Sequence, residues 1–148
     1  ALGYSMRGGR IYVKGNSGYR TGIHMKEYNN KKPVIVIGGG TGSFLGEYLA
    51  GGIIIILGLS DKRPILGNFI GTGMHGGKIL VRCKELNYDL PTQVCASFAT
   101  DEDLKEVSEY LQEFANIFSM DLSNILDSSF YVLKANVKNP YKQLYTYN

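Results

Sequence analysis

The sequence predicts an all-β protein, a right-handed parallel β-helix or solenoid followed by a C-terminal α-helix and an extended tail. A glycine cassette written three times, β-branched runs launched from it, and the confinement of all 19 glycines to residues before Lys78 predict it. The fullest copy is Leu45-Gly46-Glu47-Tyr48-Leu49-Ala50-Gly51-Gly52-Ile53-Ile54-Ile55-Ile56-Leu57-Gly58. Leu2-Gly3-Tyr4-Ser5-Met6-Arg7-Gly8-Gly9-Arg10-Ile11-Tyr12-Val13 precedes it, and Ile70-Gly71-Thr72-Gly73-Met74-His75-Gly76-Gly77-Lys78-Ile79-Leu80-Val81 follows. An aliphatic-Gly pair, then Met or Leu, then Gly-Gly before Ile-x-Val or Ile-Ile-Ile marks a strand leaving a tight corner, where glycine supplies backbone angles other residues resist. Self-similarity of this kind signals stacked units, with neighbouring strands about 4.8 Å apart and matching side chains forming ladders. Met6, Leu49 and Met74 form one expected ladder; Ile11, Ile54 and Ile79 form another. The nine repeat glycines, Gly3, Gly8, Gly9, Gly46, Gly51, Gly52, Gly71, Gly76 and Gly77, are the positions singled out as structural.

In chain order, Gly15 to His24 reads as a further glycine-punctuated half-turn, and the polar stretch Met25 to Pro33 as a protruding loop. Val34-Ile35-Val36-Ile37 is a buried strand. The Gly38-Gly39-Gly40-Thr41-Gly42-Ser43 that follows, with a possible helix from Ser43 to Ala50 and Asp61 beyond, imitates a dinucleotide-binding unit. The glycines miss G-x-G-x-x-G spacing, no Gly-Lys-Ser/Thr is present, and the segment before the next strand repeats a unit found elsewhere. Gly58 to Pro64 is a turn, and residues from Asn87 to Ala99 suit a chain leaving the repeat. Thr100 caps a helix whose first turn carries Asp101, Glu102 and Asp103, acids that complement the positive end of the helix dipole. Leu104, Val107, Tyr110, Leu111, Phe114, Ala115 and Phe118 give that helix one apolar stripe, which should close the open end of the repeat or lie along its side. Leu122 to Leu126 reads as a short turn, Phe130 to Lys134 as extended, and Pro140 to Tyr147 as an aromatic strap. The organisation expected is a repeat domain over 1–99 and a helix with aromatic tail over 100–148.

Composition narrows the function. The 148 residues suffice for a sizeable core without disulfide or metal. A net charge of +3, with basic residues scattered, gives no nucleic-acid face. The longest apolar run is far shorter than a membrane span, so no membrane is expected. Cys83 and Cys95 have no partners at metal spacing and read as reduced structural thiols, which points to the cytoplasm. The chain opens at Ala1 inside a repeat unit, as expected of a processed or excised sequence. His75 shares its repeat position with Arg7 and Ala50 and His24 stands alone, so no nucleophile, paired carboxylate or metal set is expected.

The cassettes Gly8 to Gly15, Phe44 to Gly52 and Gly71 to Gly77, with the helix at 101–118, Phe130 and Pro140-Tyr141, resemble the GXGXG domain of the glutamate synthase large (alpha) subunit over essentially the whole chain. The resemblance implies a right-handed β-helix without catalytic residues or cofactor of its own. In that enzyme it sits as a scaffold beside a glutaminase domain and an FMN-binding, iron-sulfur synthase barrel, within an oxidoreductase of glutamate biosynthesis and nitrogen metabolism. Glutaminase-type and FMN/iron-sulfur synthase-type partners are therefore expected, with a homo-oligomer as a further possibility. Formylmethanofuran dehydrogenase has a subunit that shares the glycine repeat, and this supplies the alternative scaffold reading. A nucleotide-binding enzyme using Gly38 to Ser43 is the third.

Overall fold

The computed structural model describes residues 1–60 and 64–136 of the chain. Asp61 and the aromatic strap at 140–147 lie outside the described residues. Six strands form one sheet: β1 (Arg10–Val13), β2 (Val34–Ile37), β3 (Ile53–Ile56), β4 (Lys78–Arg82), β5 (Val94–Phe98) and β6 (Phe130–Ala135), in the spatial order β1-β2-β3-β4-β6-β5. The first four run parallel, with Ile11, Ile35, Ile54 and Ile79 in one cross-strand row. β6 then inserts antiparallel between β4 and β5.

This architecture corrects the expected fold. The protein is not an all-β solenoid or β-helix but an open, mixed sheet with a helical layer, a small α/β fold. Within the glycine repeat, strand geometry is confined to the one short run that ends each unit. On the far side of each unit, left-handed backbone recurs at every second residue: Arg20, Gly22 and His24; Phe44, Gly46 and Tyr48; Phe69, Gly71 and Gly73. Alternation between opposite hands cannot sustain a pleated ladder, so among the described residues these segments add no second sheet. Residues 43–50 are turns rather than a helix.

The residues explain the elements. β2 and β3 read Val-Ile-Val-Ile and Ile-Ile-Ile-Ile and are buried on both faces, as parallel central strands must be. Helix α1 (Asp101–Ile117) starts where the cap signal places it. The Thr100 hydroxyl accepts from the Asp103 amide, while the Asp103 carboxylate accepts from the Thr100 amide. Its stripe of Val107, Leu111, Phe114 and Ala115 lies on Val34, Val36, Ile53, Ile55 and Leu80, so α1 covers a face of the sheet rather than an end. A short α2 (Leu122–Ile125) follows, and β5 is an element the sequence does not predict.

The opposite face packs the glycine segments. Their repeat is fourfold among the described residues. Thr21-Gly22-Ile23-His24-Met25 is a further copy, not a half-turn running into a loop, and Met25 is fully buried beside Leu49 and Met74. Insertion of 26–33 disguises it. The insertion folds as a tight hairpin, Tyr28 and Lys31 exchanging two backbone hydrogen bonds across Asn29 and Asn30, both at positive φ.

The glycines of the first three copies lie against the isoleucine row one strand later, and that of the fourth lies against Val94 of β5. Gly3 faces Ile35, Gly22 faces Ile54, Gly46 faces Ile79 and Gly71 faces Val94. A methyl group on Gly46, whose φ is +66°, would sit 2.7 Å from Ile79 Cδ1. Gly46→Ala should therefore destabilise the protein by about 2–4 kcal/mol, adding left-handed strain to overpacking. Gly15→Ala, with open space around it, should change stability by less than about 0.5 kcal/mol. Chemical denaturation of the two variants checks the contrast.

Candidate docking edge

The glycine rows position two sets of side chains at the protein surface. Two residues before each cassette glycine stand Arg20, Phe44 and Phe69; two after it stand Ser5, His24, Tyr48 and Gly73. Apart from Gly73, all of these hold positive φ on a non-glycine residue, and each is exposed or half-buried. The segments are pinned one on the next by backbone hydrogen bonds such as Gly46 N–H to Thr21 O at 2.9 Å and Gly71 N–H to Leu45 O at 2.8 Å. Equivalent side chains thereby superpose.

The first row stacks the Arg20 guanidinium 4.6 Å over the Phe44 ring, and Phe44 on Phe69 at 5.1 Å. In the second, His24 stacks on Tyr48 at 5.0 Å and meets the edge of Tyr4 at 6.2 Å. Tyr48 then lies over Gly73, where a side chain would collide with its ring. Tyr4 and Phe69 remain 63% and 60% exposed, so the two rows end in open aromatic surface. A cleft of about 560 Å³ opens beside Phe69, lined also by Asn68, Thr72, Asn87, Asp89 and Pro91. Arg7 donates to the His24 and Ser5 carbonyls, and Arg20 pairs with the largely covered Glu47 at 3.4 Å.

Such an edge can grip a partner by ring stacking and cationic contact. Sequence reasoning leaves Phe44, Tyr48 and Phe69 out of the site. The signal is nevertheless present, because all three recur at fixed offsets from the cassette glycines.

The other sequence candidates are placed differently. Gly8 meets the Lys31 side chain, Gly51 the Glu27 backbone, and Gly76 the backbone of Ala50, while Gly9, Gly52 and Gly77 all have positive φ. His75 is exposed, with Nδ1 3.2 Å from the Gly73 carbonyl oxygen. Cys83 is half-buried and Cys95 exposed, both as free thiols; burial raises the Cys83 pKa, the reverse of an activated nucleophile. The amides of Gly38 to Gly42 in the Gly38–Ser43 loop are already spent. Gly38 N–H goes to Val13 O, Gly39 to Gly15 O, Gly40 to Asn16 Oδ1, Thr41 to Ile65 O and Gly42 to Gly18 O. A phosphate cradle needs those donors free. Among the described residues no three His, Cys, Asp or Glu side chains gather at metal distance, and no helix is long and apolar enough to cross a membrane.

Ion pairs latch α1 to β1, to β4 and to Lys32 ahead of β2. Arg10 at one edge pairs with Glu109 and Glu113 at 2.9 and 2.8 Å and lies over Tyr110. The Tyr12 hydroxyl donates to Glu113. Burial, then that bond, raises the Tyr12 pKa, while hydrogen bonds from Tyr12 and Arg10 lower that of Glu113. Lys78 and Lys32 reach Glu106 from the strand side, and the Lys78 hydrogen bond is the main cause of its lowered pKa. Asp103 is lowered mainly by the Thr100 amide.

A glycine-cassette domain with an exposed ring edge is thus the class that fold and surface define. The sequence matches the GXGXG motif family over residues 1–138, and the chain belongs to that family, consistent with the domain that ends glutamate synthase large subunits. It is also similar to an uncharacterised protein of Methanocaldococcus jannaschii, 43% identical over 136 residues that cover 87% of this chain and 52% of the relative. The chain spans about half the length of that curated relative.

A carboxylate with a lowered pKa adds stability that is full above its unfolded value and fades as pH falls through the folded one. Lys78→Met should accordingly cost less than about 1 kcal/mol at pH 7, since the pair is partly exposed to solvent. The deficit should shrink below about pH 4 as Glu106 protonates in both proteins. Urea denaturation midpoints across that range measure it.

Proposed function

We propose that the chain is a non-catalytic, cytoplasmic scaffold of a glutamate synthase-like assembly, holding glutaminase-type and FMN/iron-sulfur synthase-type polypeptides in working geometry. The exposed ring edge carries the reading. Its side chains are held by stacked backbone rather than by flexible loops, so a partner meets them without ordering cost. Membership of the GXGXG family supports the choice of partners. The internal use of the glycine-loop amides favours structure over phosphate chemistry. The ring edge lies within 1–99, while 100–148 supplies α1 and the β6 strand that inserts between β4 and β5, which suits a docking unit stiffened by its C-terminal part.

Co-expression of the tagged chain with glutaminase-type and flavin synthase-type polypeptides from its own source should yield a co-eluting assembly that makes glutamate from glutamine. Replacing Phe44 and Phe69 together by Ser should weaken co-elution at least tenfold while leaving the circular dichroism of the isolated chain unchanged. Assembly and activity of the other two polypeptides without this chain would overturn the reading.

A further inference from the structure

The ring stack of the docking edge is closed at one end and bare at the other. At the closed end the Arg20 guanidinium lies 4.6 Å over Phe44 and pairs with Glu47 at 3.4 Å. Phe44 covers one face of Phe69 at 5.1 Å, with the two planes 17° apart. Among the described residues no further ring or cation lies on the other face, and Phe69 stays largely exposed.

The bare end borders the cleft of about 560 Å³. That volume falls in the range of about 300–1,000 Å³ that small-molecule sites occupy. The wall beyond Phe69 is built by the chain after β4, where Leu86, Tyr88 and Leu90 pack on the core and Asn87 and Asp89 between them stay exposed. Asp89 is the one charged residue in the lining, and among the described residues its carboxylate has neither an ion pair nor a hydrogen bond. Asn68, Thr72 and Asn87 add polar atoms around it. An unpaired carboxylate beside an open aromatic face suits a planar cation. A guanidinium stacks flat on a ring while its edge donates two N–H bonds to a carboxylate, whereas a lysine ammonium is compact and strongly hydrated.

We infer that the cleft is a receptor for one arginine side chain of a partner polypeptide, its guanidinium flat on the outer face of Phe69 and its N–H edge donating to Asp89. The contact repeats at the bare end what Arg20, Phe44 and Glu47 make at the closed one. Thr72 occupies the position equivalent to Glu47, so Asp89 supplies the carboxylate from the opposite wall. A second copy of this chain is a poor source. Arg7 is held by the Ser5 and His24 carbonyls, Arg10 by Glu109 and Glu113, Arg20 by Phe44 and Glu47, and Arg82 by Asp127 and the Ile125 carbonyl. None of the described arginines is spare. The inference rests on the scaffold reading for the identity of the partner alone, because the site belongs to this chain.

Short glycine peptides, blocked at both ends and carrying one central test residue, are the probes, read by NMR of the intact chain. The arginine peptide should bind saturably at millimolar concentration and shift the Phe69 ring and the Asn68, Thr72 and Asp89 amides. Lysine and citrulline peptides, which remove the plane and the charge in turn, should bind about fivefold more weakly. Asp89→Asn should weaken arginine binding by about the same factor with the rest of the spectrum unchanged, and Asp89→Glu should retain it. Equal binding of the three peptides, no saturable shift, shifts confined to another surface, or indifference to Asp89→Asn would each overturn the site. Failure to co-elute with glutaminase-type and flavin synthase-type polypeptides, with the arginine response intact, would sink the scaffold reading and leave the receptor standing.

Discussion

The seat of an isoleucine side chain on the bare Cα of a glycine one unit earlier is the constraint from which the rest follows. Gly3 under Ile35, Gly22 under Ile54, Gly46 under Ile79 and Gly71 under Val94 set how closely the glycine segments approach the sheet. Each glycine also holds φ near +70°, so its lack of a Cβ serves conformation and contact together. Removing either property would push the segment outward and open the row of Leu45, Leu49, Met25, Ile70 and Met74 that fills the space between. A close-packed interior has few ways to absorb such a shift.

The same constraint explains the surface. Left-handed glycine alternates with left-handed residues of other types, and those positions carry Arg20, Phe44, Phe69, His24 and Tyr48. Strain at non-glycine residues of this kind persists only when the surroundings over-determine it. Here the surroundings are the backbone bonds to the copies before and after, such as His24 N–H to Glu47 O at 3.0 Å and Tyr48 N–H to Thr72 O at 2.8 Å. The rings are consequently registered by main chain rather than by their own packing. On the other face α1 has a different role, covering Val36 and Ile55 and fastened along its length by Arg10, Lys32 and Lys78.

Sequence periodicity discloses the strands after Gly9, Gly52 and Gly77 and the capped helix at Thr100, because each depends on neighbours close in the chain. It does not disclose β5, whose Cys-Ala-Ser centre has no strong strand signature and whose place depends on pairing with the distant β6. The second cassette is hidden for another reason. Its Gly-Gly corner is replaced by the Tyr28–Lys31 hairpin and Pro33, so only Gly22 and Met25 keep the pattern. The overall architecture does not follow from the repeat because self-similarity specifies stacking without specifying secondary structure. The backbone signs at Arg20, Phe44 and Phe69 decide that, and no residue type at those positions announces a positive φ. The ring edge is equally obscured, since Phe44 and Phe69 read as ordinary apolar residues until the register lays one on the other.

The internal junctions are selective for the same reason that they are close. Ile35, Ile54 and Ile79 are buried because each rests on a Cα that carries no side chain, and a methyl group there meets the isoleucine directly, 2.7 Å from Ile79 Cδ1 in the case of Gly46. A slip of one unit by one residue would bring Tyr4, Ile23 or Glu47 to the glycine position, where a side chain has no room. Register between successive units is therefore fixed by the absence of a side chain at one position, and the backbone hydrogen bonds from Gly22 to Leu2, Gly46 to Thr21 and Gly71 to Leu45 close on the register so chosen.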